Sequence, residues 1–117
     1  MTDDPHLPLT PLDYHVLVVL AEESLYGYAI MKAVEKDSGG VLAPEIGSLY
    51  RVLARLQDQG LLTETAAPAD APNTQRGRPR RYYRITPKAL SILHAETERL
   101  GRMVARARSV LAAEGRP

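Results

Sequence analysis

The chain contains no cysteine, no tryptophan and no phenylalanine among its 117 residues. Without cysteine there are no disulfides, no thiolate nucleophile and no thiolate metal site. All six aromatic residues are tyrosines, so any aromatic burial brings a hydroxyl that needs a partner. No apolar run approaches the roughly 18 residues that a membrane-crossing helix needs. The start, Met1-Thr2-Asp3-Asp4-Pro5, has no basic stretch leading into an apolar one, so no secretory signal and a cytoplasmic location are expected. His6, His15 and His94 lack metal-ligand spacing, and no carboxylate cluster accompanies them. No nucleophile-and-base set and no phosphate loop is recognisable; Gly77 between two arginines is a turn residue. The chain is therefore expected to be neither an enzyme nor a holder of metal or cofactor.

What is present is an uneven charge. Net charge is +1, yet residues 1–50 carry −6 and residues 51–117 carry +7. Five arginines fall within Arg76-Gly77-Arg78-Pro79-Arg80-Arg81-Tyr82-Tyr83-Arg84. Such concentration implies one basic face, and a polyanion is the natural partner of that face.

The elements follow from local chemistry. Residues 1–9 read as a flexible arm. Thr10-Pro11-Leu12-Asp13 is a helix start, with Thr as N-cap, Pro at the first helical position and an acid at the third. The helix it opens is apolar on most sides and ends near Glu23. A second helix opens at Ser24 to Tyr28, buries Ala29, Ile30, Ala33 and Val34, and stops at Gly39-Gly40. A third runs from Glu45 to Gln59, with Ile46, Leu49, Leu53 and Leu56 as one apolar face. Gly60 ends it. Leu61 to Thr65 and Arg80 to Ile85 read as two strands of a hairpin, with Ala66 to Thr74 as a loop at its tip. In the second strand, Tyr83 and Ile85 are expected on one side and Tyr82 and Arg84 on the other. Tyr26 and Tyr28 are expected to pack in the core with hydrogen-bonded hydroxyls, a ligand pocket being the alternative.

Thr86-Pro87 starts a last helix reaching about Ala113. Leu90, Leu93, Thr97, Leu100, Val104, Ala107 and Leu111 alternate spacings of three and four, a heptad seam. A helix of this length outruns so small a domain, and its seam is expected to pair two subunits, the alternative being an amphipathic helix folded back on its own core.

The order helix, helix, helix, strand, strand, long helix predicts a mainly α fold. It is a winged helix-turn-helix with a two-stranded β-wing and a long C-terminal dimerisation helix. The expected divisions are an arm over 1–9, a DNA-binding winged-helix domain over 10–86 and a dimerisation helix over 87–117. The plan also serves protein-interaction modules that bind no DNA, so the polar residues must decide.

Six motifs then carry a resemblance. They are Leu25-Tyr26-Gly27-Tyr28-Ala29-Ile30-Met31, Ser38-Gly39-Gly40, Gly47-Ser48-Leu49-Tyr50, Leu53-Ala54-Arg55-Leu56, Gly60-Leu61-Leu62 and Arg80-Arg81-Tyr82-Tyr83-Arg84-Ile85-Thr86. In order and spacing they resemble the PadR family of bacterial transcriptional regulators, over roughly residues 8–90. The single last helix is similar to the family's smaller subclass. The resemblance implies a dimeric repressor that binds a palindromic operator and is often released by a small molecule. Many family members have proline where Arg51 stands.

Ser48, Tyr50, Arg51 and Arg55 are the expected DNA contacts of the third helix, since hydroxyls donate to phosphate and Arg also to guanine. Ser48 as a local cap and Tyr50 packed under the wing are the structural alternatives. Arg76, Arg78, Arg80 and Arg81 are expected to grip phosphate or the minor groove. An effector is expected between subunits, in a cleft of the first and last helices formed by Leu12, His15, Val16, Val19, Leu93, Glu96, Thr97 and Leu100. The same apolar walls are what a dimer core requires. The expected partners are double-stranded DNA, a second copy of the chain and a small-molecule effector, with no membrane.

Overall fold

The computed structural model describes residues 6–69 and 81–114. Helix α1 spans Pro11–Glu22, strand β1 Leu25–Tyr26, helix α2 Gly27–Asp37, helix α3 Ile46–Asp58, strand β2 Leu62–Thr65, strand β3 Tyr82–Ile85 and helix α4 Pro87–Glu114. The three strands form one antiparallel sheet in the order β1-β3-β2. This is the winged helix-turn-helix plan with an extended last helix.

The helix starts are chemical. Thr10 caps α1 by accepting from the Asp13 N–H at 3.0 Å, and Pro11 occupies the first position, where no N–H is missed. Thr86 caps α4 by accepting from Ala89 N–H at 3.2 Å, and its hydroxyl also donates to the Gly60 carbonyl at 2.8 Å. That second bond ties the start of α4 to the end of α3. Helix α3 ends in two reversed bonds, Gly60 N–H to Gln57 O and Leu61 N–H to Leu56 O. They require the positive φ of 77° that Gly60 adopts, a conformation a side chain resists.

Val16, Leu17, Ile30, Val34, Leu49, Leu53, Leu56 and Leu61 are fully enclosed at the centre of the domain. Helix α1 touches α2, α4 and β3, which is why its apolar residues wrap most of its circumference. Ile46, expected to extend the apolar face of α3, is instead 39% exposed, because the first turn of α3 projects past the core.

Three further expectations need correction. The sheet has a third strand: Leu25 and Tyr26 pair with Tyr83 and Tyr82. Both tyrosines of β3 are buried. Tyr83 joins the core, while Tyr82 lies outside it and meets the Tyr26 ring edge-on at 5.5 Å. Tyr28 is not a core residue; it is 52% exposed. Leu7 and Leu9, placed in the arm by the sequence, instead pack against the core, and the Leu9 N–H donates to Glu96 Oε2 at 2.9 Å. Residues 1–5 of that arm lie outside the described residues.

Helix α4 buries Ala89, Ile92, Leu93 and Glu96 on its own domain, and every residue from Gly101 to Glu114 is exposed. Of the expected seam, Leu93 thus belongs to this subunit's core, and the Thr97 hydroxyl lies 2.7 Å from that of Tyr14. Leu90, Val104 and Leu111 stand uncovered, and so do Met103 and Val110, which the heptad reading omits.

Glu96 is a buried carboxylate with both oxygens bonded. Arg99 donates from Nε at 2.7 Å and from Nη2 at 2.9 Å, and Leu9 supplies the third bond. The Arg99 bonds hold its carboxyl below the usual range, against the opposing effect of burial, with the Leu9 bond assisting. A lowered pKa in the fold stabilises above the ordinary carboxylate pKa, and the stabilisation is lost as pH falls through the lowered value. Glu96→Gln is therefore expected to lower the melting temperature by about 5 °C at neutral pH. The gap between variant and parent should close in acid. A constant gap from neutral pH to about pH 3 would show that the charge of Glu96 contributes nothing.

Candidate nucleic-acid interface

The exposed side of α3 carries Tyr50, Arg51, Ala54 and Arg55, with Ser48 half-buried beside them. This face exists because the apolar stripe of α3, at spacings of four and three, turns inward and leaves the opposite side to solvent. Arg51 Nη2 donates to Ser48 Oγ at 3.2 Å, so the two side chains form one polar unit in the first turns of the helix. Ser48 is not the cap of α3; that position is Glu45, whose side chain makes no capping bond.

Tyr50 lies across the start of α2. A Cβ built on Gly27 would stand 2.7 Å from the Tyr50 ring and hydroxyl. Gly27 thus gives the phenol its seat, a role invisible in sequence. Only the tip of a side chain obstructs, so Gly27→Ala should displace the ring without unfolding the domain. The expected result is a stability within about 1 kcal/mol of the parent, since alanine favours helix. Affinity for duplex DNA should fall several-fold in the same variant. Equal affinity would remove Tyr50 from the interface.

At the base of the wing, Arg81 Nε lies 3.5 Å from Glu64 Oε1 across the hairpin. The neighbouring Tyr83 phenol and then the Glu64 carboxylate hold its guanidinium more firmly protonated. Burial pushes the Tyr83 phenol up, and the bond with Arg81 works against this. Strand β2 packs against α3, so the base of the wing adjoins the third helix. Arg76, Arg78 and Arg80 lie outside the described residues. On α2, Tyr28 and Lys32 are exposed one turn apart, with Lys32 Nζ 5.9 Å from the ring centroid.

Arg55 is engaged elsewhere. It donates to both carboxylate oxygens of Asp13, from Nη1 at 3.1 Å and from Nη2 at 2.8 Å. Asp13 is only 5% exposed, and its bond raises the Arg55 pKa further. In sequence Asp13 reads as a helix-start acid alone, because nothing local signals a partner 42 residues away.

The expected effector cleft is partly closed by the subunit itself. Val16, Val19, Leu93 and Glu96 are buried within one chain. Leu12, His15 and Leu100 are half-buried and Thr97 is exposed. His15 Nδ1 lies 3.0 Å from the Pro11 carbonyl. Among the described residues no group of three metal-ligating side chains occurs, and no helix is long and apolar enough to cross a membrane.

Comparison with known proteins agrees with this geometry. A 37.1 kDa protein in a transposon of Streptomyces fradiae is 37% identical over 91 residues, 78% of this chain. The chain spans only 23% of that relative's length. The crystal structure of a PadR-like transcriptional regulator from Bacillus cereus superposes with a TM-score of 0.71 at 26% identity, covering 86% of this chain and 90% of that one. PadR of Bacillus subtilis, solved in complex with operator DNA, superposes with a TM-score of 0.60 at 23% identity. That match covers 74% of this chain and 46% of the other, and at such identity it speaks for the fold alone. The profile of the transcriptional regulator PadR-like family matches residues 16–94, the stretch that holds α2, α3, the wing and the start of α4. By that match, and by the fold it predicts, the chain belongs to the PadR-like family of transcriptional regulators.

Proposed function

We propose that the protein is a DNA-binding repressor that acts as a homodimer on a palindromic operator and is released by a small molecule. One observation carries the DNA reading. The exposed polar face of α3, with Ser48, Tyr50 and Arg51, stands beside a wing whose strand β2 packs against α3 and whose base carries Arg81, so a groove-reading helix and a wing share one neighbourhood. The operator complex of the Bacillus subtilis relative supports it by analogy of fold.

Ser48, Tyr50, Arg51 and the wing arginines Arg76, Arg78, Arg80 and Arg81 touch the duplex in this reading. Two copies of α3 enter successive major grooves about 34 Å apart, held at that spacing by α4. The effector occupies the inter-subunit part of the α1 and α4 surface, at Leu12, His15, Thr97 and Leu100. It acts only if it favours one spacing of the two reading helices.

A gel shift with DNA upstream of the coding sequence tests the reading, and absence of any shift in dilute salt would rule it out. That outcome would leave a winged helix that docks on protein. The wing is tested by its salt dependence. Changing Arg78, Arg80 and Arg81 to alanine should reduce the slope of log affinity against log salt by about 0.9 for each phosphate that these arginines neutralise. An unchanged slope would exclude the wing from the interface.

A further inference from the structure

We infer that Arg55 is a positioning residue, and that with Asp13 it fixes the reading helix to the one turn of α1 that α4 also holds. The inference rests on the DNA-binding reading above and reassigns one of its expected DNA-touching residues.

The apolar stripe of α3 sets how deeply the helix sits in the domain. It sets the rotation of α3 less well, because apolar contact has no direction. A bidentate arginine–carboxylate pair does have direction, since both donors and both acceptors must share a plane. Arg55 stands near the C-terminal end of α3 and points its fork at Asp13, which is almost fully covered. Nearly half of the Arg55 side chain remains exposed, but its two terminal nitrogens are both committed to Asp13. Taking it to phosphate would leave Asp13 as an unpaired, buried carboxylate.

The same turn of α1 is held from the other side. The Leu9 N–H donates to Glu96 of α4, and the Tyr14 and Thr97 hydroxyls are 2.7 Å apart. Asp13 lies between these two anchors and is itself held by Thr10 through its backbone N–H. The segment from Leu9 to Tyr14 therefore receives α4 on one side and α3 on the other. A change in how α4 is seated is transmitted to the angle of the reading helix through that turn, alongside the Thr86–Gly60 bond that joins the start of α4 to the end of α3.

The test uses the full chain and a fluorescein-labelled duplex of its own upstream DNA, titrated between 50 and 200 mM KCl. Asp13→Asn removes a negative charge and loosens Arg55. If Arg55 serves as a positioning residue, affinity falls about tenfold while the salt slope stays the same. Asp13→Glu keeps the carboxylate and should retain most of the affinity. Tighter binding by Asp13→Asn with a steeper slope would overturn the inference, because it would mean that a freed Arg55 reaches phosphate. Unchanged affinity would overturn it equally.

Should the parent chain bind no duplex, the DNA reading falls and the clamp is judged by amide exchange. Asp13→Asn must then speed exchange over residues 49–58, and Asp13→Glu must not. The α4 link is judged in the same way. Thr97→Val, which removes only the Tyr14 bond, must speed exchange in α3, and an α3 unaffected by it would cut α4 out of the device.

Discussion

Changing Val104 and Leu111 together to glutamate is expected to split the proposed dimer and weaken duplex binding about a hundredfold or more. Both side chains are half or more exposed in the single subunit, at 50% and 65%. With Leu100, Met103, Ala107 and Val110 they prolong the face that α4 turns toward its own domain at Ala89, Ile92 and Leu93. The stripe continues at helical spacing where the domain beneath it has ended. Left in water it would be a contiguous apolar ridge on a helix of 28 residues. Carboxylates on that ridge repel their copies across a two-fold axis and lose much hydration free energy when covered. Val104 and Leu111 lie outside the subunit's core, so each domain should keep its fold. The loss in affinity then comes from breaking one two-headed contact into two independent ones. Sedimentation velocity and fluorescence anisotropy on the same sample check both halves. A variant that still sediments as a dimer would move the interface elsewhere on the chain.

The second large effect concerns the core. Leu53→Ala is expected to cost about 2–5 kcal/mol, the usual range for a leucine truncated in a closed core. Leu53 is fully buried in the middle of α3, and the side chains beside it in the stripe, Leu49 and Leu56, are equally enclosed. A small domain holds only about 5–15 kcal/mol in total, so this one change threatens the fold. The same variant should lose DNA binding in proportion to the unfolded fraction, with no change in salt slope. Chemical denaturation at fixed protein concentration gives the number, because a paired chain gains apparent stability with concentration. A cost below about 1 kcal/mol would mean that the space around Leu53 collapses to fill the void.

These two residue sets are legible in sequence to different degrees. Periodicity places the inward stripe of α3 correctly at Leu49, Leu53 and Leu56 and fails at Ile46, since it gives the side of a helix and not how far the core extends along it. The exposed apolar ridge of α4 falls on the helix that the heptad spacing marks. Its register needs the structure, because Leu93 is taken up inside one subunit while Met103 and Val110 stand outside.

The sequence by itself determined the features that depend on neighbours a few residues apart. Thr10, Pro11 and Asp13 begin α1, Gly60 ends α3, and Thr86 with Pro87 begins α4. Caps and turns are settled within one turn of chain, so their chemistry is written locally. The family motifs are legible for the same reason. Only the tertiary structure decided what depends on pairing across distance. Strand β1 is two residues long and is defined solely by its pairing with β3. Gly27 matters because the Tyr50 ring arrives above it, and Glu96 is buried because Leu9 and Arg99 satisfy it. Arg55 lies on the exposed side its spacing suggests, yet its guanidinium is committed to Asp13, because two charges far apart in the chain meet where one of them is out of water. A charge buried in this way requires its partner, and the identity of that partner is a property of the packed fold.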